Sequence, residues 1–204
     1  MRHHRTGASM VSNVAPLGRE FYARDPSLVA MELLGKIVVK RKGSETLSGR
    51  IVETEAYYGD RDPASRAYRG RKNYNRPMFE EPGRLFIYMV HAHWLLNVVA
   101  HPQGEVGAVL IRALEPLEGV ETMMRNRGIS NLRNLTDGPG KLTRALEVTK
   151  ELHGLNITSP RSELTVSQWE DEHYEIGTSH RIGVTEDLPQ ELRFFIEGNR
   201  FVSR

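Results

Sequence analysis

The sequence predicts an α+β fold in a single domain, built on a mostly antiparallel sheet with flanking helices. Three observations predict it. The chain has 204 residues, the size of one domain. Strand-like runs outnumber helix-like runs and are joined by short turns, which favours antiparallel pairing. No repeat, heptad or linker divides the chain. A hydrophobic fraction of 39% is enough for a real core.

Residues 1–15 read as a disordered leader in which Met10 offers a second start, and the domain is expected over 16–204. Asp25-Pro26-Ser27 opens a helix, with Asp as the cap and Pro in the first turn. Leu28, Val29, Leu33 and Leu34 give it an apolar face, and Gly35 ends it. Lys36 to Lys40 is a strand, Gly43-Ser44 a turn, and a long strand runs through Tyr57. A basic loop from Gly59 to Pro82 is too long to be only a connector. Two strands, Leu85 to Val90 and Leu95 to Ala100, flank His91-Ala92-His93-Trp94. Gly107 to Ala113 is a buried strand. A helix is expected from Pro116 to Arg127, stopped by Gly128, and a shorter one over Pro139 to Leu146. Short strands are expected near Leu164, near Ile182 and over Leu192 to Ile196.

Composition excludes several classes. With no cysteine, disulfides, thiolate zinc sites and cysteine nucleophiles are ruled out together. No apolar run approaches membrane-spanning length, and no secretory signal follows Met1-Arg2-His3-His4-Arg5, so a cytoplasmic protein is expected. Net charge is only +2, but it is unevenly placed. Arg61, Arg66, Arg69, Arg71, Lys72 and Arg76 fall in one stretch whose only acid is Asp62. That stretch is either a solvated loop or a grip on phosphates.

Arg50-Ile51-Val52-Glu53-Thr54-Glu55-Ala56-Tyr57 carries the chemistry. Alternation along a strand sends Ile51, Glu53, Glu55 and Tyr57 one way and Val52, Thr54 and Ala56 the other. Carboxylates beside an aromatic ring suit a pocket that holds a flat ligand and activates a water. Glu53 and Glu55 would stand about 6.5 Å apart. That lies at the lower edge of the roughly 6.5–9.5 Å of inverting glycosidases, so a carbohydrate hydrolase is geometrically allowed. A solvent-facing glutamate pair on a half-exposed sheet is the plainer alternative. Arg112 interrupts an apolar strand and must be paired, either structurally with Glu115 or with a catalytic carboxylate. His91, His93 and His101 include an H-x-H pair, but no complete ligand set accompanies them, so no metal is expected. Gly138-Pro139-Gly140-Lys141 lacks the pattern of a nucleotide phosphate loop; Lys141 and nearby amides could still meet one backbone phosphate. Tyr57, Tyr74, Phe79, Phe86, Tyr88 and Trp94 cluster in one third of the chain, as in surfaces that stack on nucleobases.

The run Arg50–Tyr57 resembles the signature strand of the 3-methyladenine (alkyladenine) DNA glycosylase family. The likeness continues through Asp62–Arg71, Met78-Phe79, Pro82–Tyr88, Leu96–Val99, Leu110–Pro116, Gly138–Leu142, Arg181–Gly183 and Gly198–Arg204, nearly the whole chain after residue 16. The resemblance implies a curved sheet and a protruding β-hairpin that enters the minor groove of double-stranded DNA. It implies a monomer that removes alkylated or deaminated purines by hydrolysis of the N-glycosidic bond, without cofactor, metal or covalent intermediate. Residue by residue, it implies Glu55 as general base and Arg112 as the arginine that holds the water. Tyr57 and Tyr88 become stacking rings and Asn97 a lining of the base pocket. Arg66 stands where the family often has a pocket histidine, and Arg is always charged. Arg69, Arg71 and Lys141 are the expected phosphate contacts. The hairpin tip, Met89 to His93, is one residue short and lacks the usual wedge tyrosine, which makes His91 the wedge candidate.

Overall fold

Asp25, Pro26 and Gly35 bracket a helix as the sequence predicts. In the computed structural model, which describes residue 11, residues 14–170 and residues 172–203, α1 (Arg19–Tyr22) is one turn and α2 (Pro26–Leu33) follows. Most of the expected leader lies outside the described residues, as does Arg204; Val11 is buried beside Ile37 and Val39. The Asp25 carboxylate accepts from the Ser27 amide at 2.8 Å, closing the first turn of α2. Gly35, at φ 79°, then reverses the chain into β1 (Ile37–Lys42).

A tight turn leads from β1 into β2 (Glu45–Tyr58), followed by the basic loop with a 3₁₀ segment over Asn73–Phe79. Next come β3 (Leu85–Val90), β4 (His93–Val99), β5 (Gly107–Glu118), α3 (Val120–Arg127) and α4 (Pro139–Ala145). The last strands are β6 (Leu164–Ser167), β7 (Ile176–Ser179) and β8 (Arg193–Ile196). The sheet runs β3-β4-β5-β2-β1-β6, with every recorded pairing antiparallel. One edge of β2 is shared: its first half pairs with β1, and Glu53 to Glu55 pair with β8, which carries β7. This division, with bulges between β2 and β5, curls the sheet into a half barrel.

Helix α2 covers one face. Val29, Ala30, Leu33 and Leu34 lie in one buried cluster with Val52, Ala56, Val109 and Ile111. Burying such side chains stabilises the fold by about 1.5–3 kcal/mol each for the larger ones. The Thr54 hydroxyl donates to the Ala30 carbonyl at 2.8 Å, fastening β2 to this layer. The alternation therefore turns Glu53 and Glu55 away from α2.

Three expectations need correction. The helix expected from Pro116 begins at Val120, because β5 continues to Glu118 along β2. Pro116 tolerates the strand beside a register shift, and Gly119 at φ 71° makes the corner. The strand expected near Ile182 is β7, ending at Ser179, and Ile182 lies in a turn. The hairpin turn is only His91-Ala92, both at positive φ, so β4 begins at His93 rather than Leu95.

Candidate active site

The site grows out of two irregularities. Ile51 pairs with Leu114, Glu53 with Ala113 and Thr54 with Ile111, so Val52 and Arg112 are extra residues on their strands. The slip at Val52 also interrupts strict alternation, and Ile51, expected on the carboxylate face, belongs to the core. The slip at Arg112 brings its guanidinium to both carboxylates. Its Nε donates to Glu53 Oε1 at 2.8 Å, and its Nη1 lies 3.2 Å from Glu55 Oε1. Glu115, the partner weighed for Arg112, pairs instead with Arg50 at 2.5 Å.

Neither glutamate faces solvent; both are 0% exposed. Glu53 is fully engaged. Its Oε1 also accepts from Arg193 Nε at 2.7 Å and the Ser203 hydroxyl at 2.8 Å, and its Oε2 accepts from the Ser203 amide at 2.7 Å. Glu53 lines no part of the neighbouring cleft and its oxygens are committed to protein donors, so it offers a substrate no second carboxylate, which argues against the two-carboxylate carbohydrate hydrolase. Glu53 instead holds Arg112 and the C-terminal segment together.

Glu55 is held differently. Its Oε1 accepts from the Ile182 amide at 2.8 Å, and its Oε2 accepts from the Tyr57 hydroxyl at 2.7 Å. Burial pushes its pKa up, outweighing the Arg112 charge and both hydrogen bonds. Burial, then the neighbouring Glu55 charge, pushes the Tyr57 phenol up, so it remains a neutral donor. Arg112 stays charged because Glu55 and Glu53 outweigh its own desolvation.

Three of Glu55's partners, Tyr57, Arg112 and Ile182, line a cleft of about 560 Å³. Tyr88, Arg66, His91 and Leu110 line it too, and Glu55 sits directly behind its wall. Its size suits a small organic group. A larger cavity of about 790 Å³, lined by Tyr58, Arg61, Phe79 and Val106 among others, contains none of these residues.

Both tyrosines carry a guanidinium. Arg181 stands 4.5 Å over the Tyr57 ring, buried and held by Asp62 at 2.6 and 2.8 Å and by Asp187 at 2.6 and 2.9 Å. Asp62, the lone acid of the basic stretch, thus anchors that loop beneath the site. Tyr88 stacks on Phe86 at 4.9 Å, and Arg66 lies 4.8 Å over the Tyr88 ring.

The remaining expected residues are more scattered. Asn97 is buried and donates to the Phe86 carbonyl at 3.1 Å, bracing the hairpin; it is not among the cleft-lining side chains. His91 is exposed at the hairpin tip and lines the cleft mouth. Arg69 and Arg71 are exposed in the basic loop, away from the cleft wall. Lys141 pairs with Asp137 at 3.0 Å at the start of α4. His101 is bonded to the carbonyls of Glu80 and Pro102, apart from His91 and His93. No described helix is long and apolar enough to cross a membrane.

Arg181, Arg193, Ser203 and the Ile182 amide hold the side chains of the site, and sequence reasoning gave none of them an individual role, although Arg181–Gly183 and Gly198–Arg204 are segments of the family resemblance. Arg193 carried the same signal as Arg112, a lone cation in an apolar strand. Within the matching segments, nothing marked the Ile182 amide or Ser203 as partners of the glutamates.

The family model described as methylpurine-DNA glycosylase (MPG) matches residues 20–200. A relative from Koribacter versatilis (strain Ellin345), provisionally named 3-methyladenine DNA glycosylase, is 41% identical over 199 residues, covering 96% of each chain. Another from Aeropyrum pernix, with the same provisional name, is 43% identical over 192 residues, covering 92% of this chain and 93% of its own. The chain belongs to the methylpurine-DNA glycosylase family.

Proposed function

We propose that the protein is a monofunctional DNA glycosylase that releases alkylated or deaminated purines from double-stranded DNA by hydrolysis, leaving an abasic site. The observation that carries this reading is Glu55, buried behind a cleft with Arg112 and a tyrosine hydroxyl on its oxygens. The family and the relatives' names support the same class of reaction.

The residues account for each requirement. A base inside a duplex must be extruded, at a cost of a few kcal/mol. Stacking on Tyr57 or Tyr88 returns about 1–3 kcal/mol. As the base departs, positive charge grows on the sugar, and Glu55 stabilises it and takes a proton from the attacking water. The water's oxygen bonds to the sugar carbon as the bond to the purine nitrogen breaks; the purine keeps that electron pair, so a cationic purine leaves neutral and a neutral one takes up a proton as it leaves. Arg112 orients Glu55 and that water. His91 enters the duplex at the hairpin tip, Asn97 braces the hairpin that carries Tyr88, and Arg69, Arg71 and Lys141 meet phosphates. This reaction requires neither metal nor cofactor, and one copy of the chain supplies all of these groups.

One observation favours a second reading. Arg66 covers the Tyr88 ring, as it would in a non-catalytic binder of damaged nucleic acid whose base pocket is closed. Chromatography of free bases released from methylated and deaminated duplexes separates the two. Release supports the enzyme; tight binding with no released base supports the binder.

A further inference from the structure

Tyr88 has two ring faces, and both are occupied. Phe86, two residues earlier on β3, stacks at 4.9 Å with planes 19° apart. Phe86 is buried and lines no part of the cleft. The Arg66 guanidinium, 4.8 Å over the same ring, therefore covers the cleft side. Arg66 is exposed, reaches Tyr88 from the basic loop, and forms no ion pair among the described residues. A full positive charge thus rests where a flat ligand would stack.

We propose that Arg66 determines substrate specificity by charge, disfavouring cationic purines and favouring neutral ones. This deepens the glycosylase reading and rests on it. Arginine does not lose its proton in a protein, so no pH in the working range removes the charge. An entering base must displace the guanidinium from Tyr88 or share the cleft with it. A neutral purine brings ring nitrogens and carbonyl oxygens that guanidinium donors can bond. An N-alkylated purinium meets a like charge within a few ångströms, in a setting less screened than bulk water. Displacing Arg66 from the ring affects both classes; the like-charge repulsion falls on one.

The test is single-turnover base release from duplexes carrying one hypoxanthine, which is neutral, or one 7-methylguanine, which is cationic. Wild type is compared with Arg66→Gln, Arg66→Ala and the charge-preserving Arg66→Lys. The ratio of neutral to cationic rates should fall roughly tenfold in the Gln and Ala variants and stay near wild type in the Lys variant. Raising salt should shrink the wild-type ratio and leave that of the Gln variant nearly unchanged. A wild type that releases base while Arg66→Gln leaves the ratio within about twofold overturns this assignment alone. A wild type that releases neither base overturns the glycosylase reading, and this assignment with it.

Discussion

Replacing Glu53 by Gln should unsettle both the fold and the site, because this buried carboxylate serves three partners. Its Oε1 accepts from Arg112 Nε, Arg193 Nε and the Ser203 hydroxyl at 2.7–2.8 Å, and its Oε2 accepts from the Ser203 amide at 2.7 Å. The Gln carbonyl can keep the first three bonds, though weaker without the charge. The Gln NH₂ would face the Ser203 N–H, donor against donor, at about 1–3 kcal/mol. Arg193 loses its carboxylate, whereas Arg112 keeps Glu55 at 3.2 Å. Breaking a buried ion pair on one side costs about 3–5 kcal/mol, and the shape-preserving Gln takes the lower end. That lower end with the donor clash included gives an expected loss of about 4 kcal/mol, or roughly 10 °C in melting temperature for a domain of this size. Urea unfolding with an unchanged m-value measures it. A loss below about 1 kcal/mol would refute the claim that Glu53 clamps Arg112 and the C-terminal segment.

The other predictions concern Glu55 and the hairpin. Base release should fall on the acid side at a pH above the ordinary carboxylate range, since burial raises the pKa of Glu55; a limb within that range contradicts it. Tyr57→Phe removes a hydrogen bond that lowers this pKa, so the acid limb should move to still higher pH; an unmoved limb in a pH–rate profile would count against the contact. The folded state binds the Glu55 proton more tightly than the unfolded one. Ionised Glu55 therefore costs stability once pH exceeds its folded pKa, and the penalty vanishes below the unfolded value. Glu55→Gln should accordingly unfold at higher urea than wild type at neutral pH, with the gap closing in acid. A Cβ on Gly140 would stand 2.8 Å from the His93 Cβ, so Gly140→Ala should cost about 1–3 kcal/mol and weaken duplex binding by shifting the hairpin; wild-type melting and affinity would exclude that close approach.

Much of this was legible in the chain. Asp25-Pro26 and Gly35 marked α2 through capping chemistry, which acts locally. Glu53, Glu55 and Arg112 stood out because charges inside apolar strands need partners. The identity of those partners was not legible. Periodicity assumes a regular ladder, and the extra residues at Val52 and Arg112 break it at the site. Glu53 reaches Arg193 and Ser203 across 140 and 150 residues, and only folding brings them together. Pro116 misled for a related reason: its helix-start signal is real, but pairing with Gly49 overrides it. Tyr57 was read only as a ring, and nothing in the sequence signalled that its hydroxyl donates to Glu55.

The carboxylate behind the cleft is the part of the account most open to direct attack. Single-turnover release of 3-methyladenine from a methylated duplex, run with wild type and Glu55→Gln at matched duplex occupancy, addresses it. Wild type should liberate the base, while the variant binds the duplex as well and liberates at least about a hundredfold less. Equal liberation by both proteins would mean that Glu55 does not drive the reaction.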